Sequence, residues 1–225
     1  MDFLITGSSK GIGKFLLEKY SVLNYSVYGT YNNTNTRISN LFKVDISNYD
    51  NVSVWIDSLK LTNRIILINC AGISYNSFAH KADLKKWIKV IEVNLVGTFN
   101  VIHKLLPIMR FNNYGRIINI SSVTAQIGTP GVSGYAASKS ALWGLSKSIA
   151  IENAMKGITI NNINLGYANI GMGINNVPLE FQKEMKTKIP NKLFCPPEQI
   201  YNTVNYIIEN DYLNGTCIDL NGGLY

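Results

Sequence analysis

Charge, histidine and cysteine are all scarce in this chain of 225 residues, and each shortage removes an explanation. Charged residues make up 16% and apolar residues 46%, so the chain is neither disordered nor highly solvated. The two histidines, His80 and His103, cannot build a metal site alone. The cysteines Cys70, Cys195 and Cys217 are odd in number and widely spaced, which argues against a zinc site and for reduced thiols. No metal is expected. Uninterrupted apolar stretches such as Ile65 to Ile68 are far too short to span a bilayer. The N-terminus reaches Gly7 without a basic leader or a cleavable apolar region, so a cytoplasmic location is expected. Acidic residues number 14 against 21 Lys and Arg, giving a formal charge of +7. That balance favours acidic or phosphorylated partners. The lysines are scattered apart from Lys183, Lys186, Lys188 and Lys192, and there is no basic stripe with interleaved aromatics of the kind nucleic-acid binding requires. An ordinary solvated face accounts for that cluster.

What is present is an alternation of short apolar runs and helical spacings. Phe3–Thr6, Val27–Tyr31, Leu41–Val44, "RIILIN", "GRIINI", "GITINNINL" and Cys217–Leu220 read as strands. Helical periodicity separates them over Ile12–Tyr20, Val52–Leu59, Leu84–Met109, the run from Gly134 to Met155, the Lys-rich segment after Pro178, and the stretch after Pro196-Pro197. This pattern predicts an α/β fold, a parallel sheet covered by helices on both faces. With no linker, repeat or low-complexity tract, residues 1–225 are expected to form one domain.

Two spacings carry chemistry. "TGSSKGIG" places Gly7, Gly11 and Gly13 between the first strand and the first helix, where backbone N–H groups and a helix N-terminus can approach a pyrophosphate. The order is G-x-x-x-G-x-G, not the common dinucleotide fingerprint, and a merely tight turn would also use glycine. In "GYAASKSALWGLSKS", Tyr135 and Lys139 lie one helical turn apart. A buried hydroxyl beside a snorkelling amine is the plain account of such a pair. The chemical account is a tyrosine whose pKa, ordinarily about 10, is lowered by a neighbouring ammonium so that it can exchange a proton near neutral pH.

Taken in order, these motifs resemble the short-chain dehydrogenase/reductase family over essentially the whole chain. "TGSSKGIG" matches the family's cofactor turn, "NCAG" (Asn69 to Gly72) its N-x-A-G element, and Asn94 in "VNLVGTF" its helix asparagine. Ser122, thirteen residues before Tyr135, matches the family's serine, and Tyr135 with Lys139 matches Y-x-x-x-K. The resemblance implies a Rossmann-like, doubly wound three-layer sheet of about seven parallel strands in the order 3-2-1-4-5-6-7. It also implies catalysis by Asn94, Ser122, Tyr135 and Lys139. Tyr135 would be the proton donor for carbonyl reduction, Ser122 would hold the substrate oxygen, and Lys139 would bind the nicotinamide ribose. Asn94 would hold a water linking Lys139 to solvent. Implied cofactor contacts are Gly7, Ser8, Ser9, Lys10, Gly11, Ile12 and Gly13 in the turn, then Asn32, Asp45, Ile46, Asn69, Ala71 and Gly72, and finally Tyr135, Lys139, Gly166 and Ala168. Asp45 is assigned to the adenine.

The expected cofactor is NADP(H). No carboxylate lies between Gly29 and Arg37 to hold a ribose 2′-hydroxyl and repel a 2′-phosphate. Lys10, Asn32 and Arg37 are the candidate phosphate partners. Two departures stand out: Leu165 replaces the proline usual before Gly166, and Ile170 replaces a threonine that touches the carboxamide, leaving that role to backbone near Ala168. The segment 167–193 is expected to cover the substrate. The resemblance is nearest to 3-oxoacyl-(acyl-carrier-protein) reductases, implying a ketone substrate, an acyl carrier protein as partner through Lys156 and the basic cover, and a homodimer or homotetramer. Helices 84–109 and 135–155 would pair, with Ala141, Trp143 and Leu145 outward. The alternatives are reduction of a sugar or secondary-metabolite ketone, and a non-catalytic NADP-binding regulatory protein.

Overall fold

A computed structural model describes residues 1–34, 40–62, 64–174 and 177–225. Arg37 lies outside the described residues. In chain order the elements are β1 (Asp2–Thr6), α1 (Gly11–Ser21), β2 (Ser26–Tyr31), β3 (Leu41–Lys43), α2 (Tyr49–Asp57) and β4 (Ile65–Asn69). Next come α3 (Leu84–Ile91), a π-turn (Glu92–Val96), α4 (Gly97–Asn112), β5 (Gly115–Ile120), the short α5 (Thr124–Ile127) and α6 (Ser133–Asn153). The chain continues through β6 (Ile158–Leu165), α7 (Leu179–Lys188), α8 (Pro197–Glu209) and β7 (Cys217–Leu220).

All seven strands are parallel, in the order β3-β2-β1-β4-β5-β6-β7. The strands read as unbroken apolar runs because both faces are covered. In β4, Ile65 and Leu67 pack toward α2, α4 and α6, while Ile66 and Ile68 pack toward α1 and α8. Helix faces answer them: Leu105 and Met109 of α4 on one side, Leu16 and Tyr20 of α1 on the other. Because β1 sits between β2 and β4, successive connections leave it in opposite directions and open a crevice above the strand ends. Among the described residues no helix is long and apolar enough to cross a membrane.

One polar row interrupts the core. Asn69, Asn119 and Asn162 stand opposite one another on β4, β5 and β6. Asn69 Nδ2 donates to Asn119 Oδ1 at 2.9 Å, and Asn119 Nδ2 donates to Asn162 Oδ1 at 3.2 Å. Ser146 of α6 sits on the row, donating to Asn162 Oδ1 at 3.1 Å and accepting from Asn119 Nδ2 at 3.1 Å. Buried amides need partners, and most of these groups find them in one another, Asn69 Oδ1 being the exception. The row therefore fixes where α6 rests on the sheet.

Candidate active site

The glycine turn closes where β1 ends. Gly7 adopts φ +70°, and a Cβ there would lie 2.6 Å from Ala71 Cα, so only glycine fits. Its N–H donates to Thr30 Oγ1 at 3.2 Å, while the Ser8 N–H donates to Thr30 O at 2.7 Å and Ser8 Oγ donates to Ile5 O at 2.6 Å. The ends of β1, β2 and β4 are thus stitched together beneath the turn. Helix α1 then starts almost in contact with it, since a Cβ on Gly13 would meet Gly7 O at 2.5 Å. The N-cap of α1 is Lys10, no side chain among the described residues caps the helix, and its first turn carries no acidic residue. Helices ordinarily place an acceptor and negative charge there. A cation at the positive end, with the first N–H groups of the helix behind it, fits an anionic ligand such as a pyrophosphate. Ser9 and Ile12 are half-buried beside it and Lys10 is exposed.

Beyond β3, Asp45 Oδ1 accepts from the Ser47 N–H at 3.0 Å and the Ser47 hydroxyl at 2.6 Å. Burial pushes this carboxyl upward, but the Ser47 bonds, the Lys89 ammonium and Asn32 outweigh it and hold the pKa below the usual carboxylate range. Asn32 therefore stands beside Asp45, at the rim of the crevice. Ile46 is buried and its carbonyl accepts from Asn100 Nδ2 at 2.9 Å.

After β4, the Ala71 N–H donates to Thr6 Oγ1 at 3.1 Å. Gly72 leaves the space between two functional groups open: a Cβ there would lie 3.3 Å from Asn94 Oδ1 and 3.7 Å from Lys139 Nζ. Asn94 belongs to the π-turn, where the Gly97 N–H reaches back to Glu92 O. That insertion aims the asparagine inward. Its Oδ1 accepts from the Ile73 N–H at 2.8 Å, and its Nδ2 donates to Ile73 O at 2.9 Å and to Ser138 Oγ at 3.0 Å. In this structure it ties the 72–73 loop to α6.

Lys139 is buried, and its Nζ donates to Ile120 O at 2.6 Å, 5.7 Å from the Tyr135 ring centroid. Burial pulls the lysine pKa down to about 8, with the Cys70 thiol pulling weakly the other way. Tyr135 shifts opposite to the direction expected from the ammonium alone. Burial raises its pKa and outweighs the hydrogen bond with Ser122. Desolvation penalises the phenolate more than the nearby groups favour it. Ser122 Oγ accepts from the Thr124 N–H at 3.2 Å and the Thr124 hydroxyl at 3.0 Å, which leaves its own hydrogen for another acceptor.

The segment after β6 crosses this crevice. Leu165 is buried and Gly166 packs against Asn221. Ala168 pairs with Cys195 in an isolated bridge whose two bonds run through Tyr167 O and the Asn169 N–H, leaving Ala168's own N–H and carbonyl outside it. Ile170 packs against the α1–α8 core. Gly171, at φ +69°, leans on the glycine turn: a Cβ on either Gly11 or Gly171 would lie 3.1 Å from the other's Cα. This contact was not visible in the sequence, although the doublet of glycines at 171 and 173 marks it in retrospect. Farther on, Met185, Ile189 and Phe194 form a small core with Tyr167 and Leu224. Among the described residues no cluster of three or more His, Cys, Asp or Glu could hold a metal ion.

The glycine turn, the β4 loop, Ser122 and the Tyr135–Lys139 pair thus meet at one end of the sheet. The short chain dehydrogenase family profile matches residues 3–178. The chain belongs to the short-chain dehydrogenase/reductase family. It is 34% identical to an acetoacetyl-CoA reductase of Rhizobium meliloti, over 99% of this chain and 97% of the relative. It is 31% identical to a 3-oxoacyl-(acyl-carrier-protein) reductase of Staphylococcus aureus, again covering 99% and 97%. A crystal structure of a 3-oxoacyl-(acyl-carrier protein) reductase from Brucella melitensis superposes with a TM-score of 0.90 at 27% identity, covering 100% of this chain and 91% of that one. As a member of the short-chain dehydrogenase/reductase family, the protein is an oxidoreductase.

Proposed function

We propose that the protein is an NADPH-dependent reductase of 3-oxoacyl thioesters, with Tyr135 as proton donor. The observation that carries this reading is the cluster of buried Ser122 and Lys139 with half-buried Tyr135, beside the space that Gly72 leaves open. Gly7, Gly11, Gly13 and the uncapped start of α1 would hold the pyrophosphate, Asp45 and Ile46 the adenine, Lys10 and Asn32 the 2′-phosphate, and Lys139 the nicotinamide ribose. Ala168's backbone groups, which lie outside the bridge to Cys195, suit the carboxamide. A nicotinamide held there supplies a hydride.

The protein's own task is then to place a carbonyl and give it a proton. When a substrate is bound, Ser122 turns its one hydrogen, which in this structure faces Tyr135, to the substrate oxygen. Tyr135, whose raised pKa keeps it protonated at neutral pH, gives that oxygen a proton as it becomes an alkoxide. A tyrosine that holds its proton suits reduction better than oxidation. Once the proton has left, the phenolate faces the Lys139 ammonium. Segment 167–193, which we read as the cover within a single domain, excludes water. Exposed Leu179 and Leu193, with Lys183 and Lys186 beside them, suit an apolar acyl chain on an acidic carrier such as acyl carrier protein.

We place the protein in the cytoplasm as a dimer or tetramer through α4 and α6. Of the residues expected to face outward, Ala141, Trp143 and Leu145 are half-buried, Trp143 on Ser121 and Asn164 and Leu145 against this subunit's own core, so exposed Phe99 of α4, Ile151 of α6 and Met155 just beyond it are the better candidates for that contact.

The test is NADPH oxidation with acetoacetyl-CoA and with 3-oxoacyl thioesters on acyl carrier protein, for wild type and Tyr135→Phe. The variant is expected to lose about a hundredfold or more of kcat with NADPH affinity unchanged. Wild-type turnover by Tyr135→Phe would overturn the mechanism. In the same assay kcat/KM should favour NADPH over NADH, and Lys10→Ala should reduce that preference by about tenfold or more. Equal use of both cofactors by the wild type would overturn the NADP assignment.

A further inference from the structure

The stretch that carries Ser122 is gripped from both ends by one ring of side chains. At its start, Ser121 Oγ donates to Lys139 O at 3.1 Å and accepts from Trp143 Nε1 at 3.2 Å. The same indole N–H is shared with Asn164 Oδ1 at 2.9 Å. Asn164 Nδ2 passes the chain on to Asp219 Oδ1 at 2.8 Å. That one carboxylate oxygen also accepts from Gln126 Nε2 at 2.9 Å. Gln126 lies on α5, four residues beyond Ser122, so the ring closes on the segment where it began. It passes through α6, β6 and β7 on the way. A cross-tie from Ser140 Oγ to Ala125 O at 3.1 Å braces α5 against α6.

Each member has the chemistry its place requires. Asn164 must accept on one side and donate on the other, which an amide does and an apolar residue cannot. Asp219 receives two donors on a single oxygen and so must be an acceptor there. Ser121 and Asn164 are buried, so water cannot stand in for a lost partner. The reason for such a ring lies in where the reacting groups sit. Ser122 follows β5, whereas Tyr135 and Lys139 ride on α6. Apolar packing between a helix and a sheet tolerates small slides; hydrogen bonds at fixed lengths and angles do not.

We infer that Trp143, Asn164, Asp219 and Gln126 are positioning residues for Ser122, setting its hydroxyl against Tyr135 from a shell that touches neither substrate nor cofactor. The inference rests on the reading of Ser122 as the group that holds the substrate oxygen. Displacing a reacting group by a fraction of an ångström to one ångström costs up to about a hundredfold in rate, so the ring should be visible in kcat.

The experiment compares wild type, Trp143→Phe, Asp219→Ala, Asp219→Asn and Ser122→Ala in steady-state kinetics. Hydrogen–deuterium exchange of residues 123–128 in the cofactor-free protein supplies a readout independent of turnover. Trp143→Phe keeps an aromatic ring but loses both bonds, and should lower kcat by about tenfold, with Asp219→Ala costing about fivefold because solvent reaches it. KM for NADPH should stay within about twofold in both, since the ring lies apart from the glycine turn. Amides of 123–128 should exchange faster in both variants. Asp219→Asn keeps the Oδ1 acceptor and should restore kcat and exchange to wild-type values. Unchanged kcat and exchange in Trp143→Phe and Asp219→Ala would overturn the inference, as would an Asp219→Asn variant no better than Asp219→Ala. If Ser122→Ala itself keeps full turnover, the reading of the site fails instead, whatever the ring does.

Discussion

Helices α1 and α6 both reach the same crevice, but they are seated on the sheet by opposite means. The start of α1 is seated by a lack of side chains: Gly13 lies against Gly7 O, and Gly7 against Ala71. Helix α6 is seated by side chains with direction, through Ser146 on the asparagine row, Trp143 on Ser121 and Asn164, and Lys139 on Ile120 O. On the proposed function, the difference follows from what each helix presents. An anion held by backbone N–H groups needs the backbone close, and any Cβ is an obstacle. A proton donor and its neighbours need fixed angles, which apolar contact alone does not supply. Nearness is secured by glycine, and registration by amides and hydroxyls.

Changing one residue in each helix should break the comparison apart. Gly13→Ala drives a methyl into Gly7 O and should cost about 3 kcal/mol of stability or more. It should also raise the Kd for NADPH by well over tenfold, read by fluorescence titration; an unchanged Kd would show that the turn yields more easily than its packing indicates. The buried ammonium of α6 should give the next largest effect. Burial holds Lys139 near pKa 8, below its ordinary 10.5, so the unfolded chain binds this proton more tightly than the folded one. The resulting penalty is fully present below pH 8 and fades as pH rises from 8 toward 10.5. Lys139→Met should therefore be the more stable protein at pH 7, by at most about 3 kcal/mol, while losing turnover. Thermal unfolding at pH 7 and pH 10 checks this, since the advantage must shrink at the higher pH. A variant less stable than wild type at pH 7 would mean that the bond to Ile120 O outweighs the burial. The smallest effect sharpens the contrast between glycines. Gly144, exposed on α6, has nothing within 4 Å of its missing Cβ. Gly144→Ala should gain about 0.5–1 kcal/mol in denaturant unfolding, where Gly13→Ala loses several times that.

What could be read from the sequence divides along the same line. Seven strands in order and the helices between them were legible because each carries its own period or apolar run. The glycine turn and the Tyr135–Lys139 pair were legible because their spacing is local. The direction of the Tyr135 shift was not, since sequence spacing reveals the nearby ammonium but says nothing of the desolvation around it. Nor was the asparagine row: Asn69, Asn119 and Asn162 come from three separate strands, and only the register of the folded sheet sets them side by side. The same holds for Gly171 on Gly11, a contact between residues far apart in the chain.

The π-turn at Glu92–Val96 carries a consequence for insertions and deletions in this chain. A π-turn is an α-helix holding one residue more than its ladder needs. Deleting any one residue from that turn would restore a regular helix and, by every local criterion, improve it. The repair would rotate α3 against α4 by about 100°, one residue's worth of helical turn. Asn94 would then leave the Ile73 backbone and Ser138, and the 72–73 loop would lose its tie to the helix that carries Tyr135. The length of this helix is therefore constrained to the single residue, in a stretch where composition alone would tolerate almost any change.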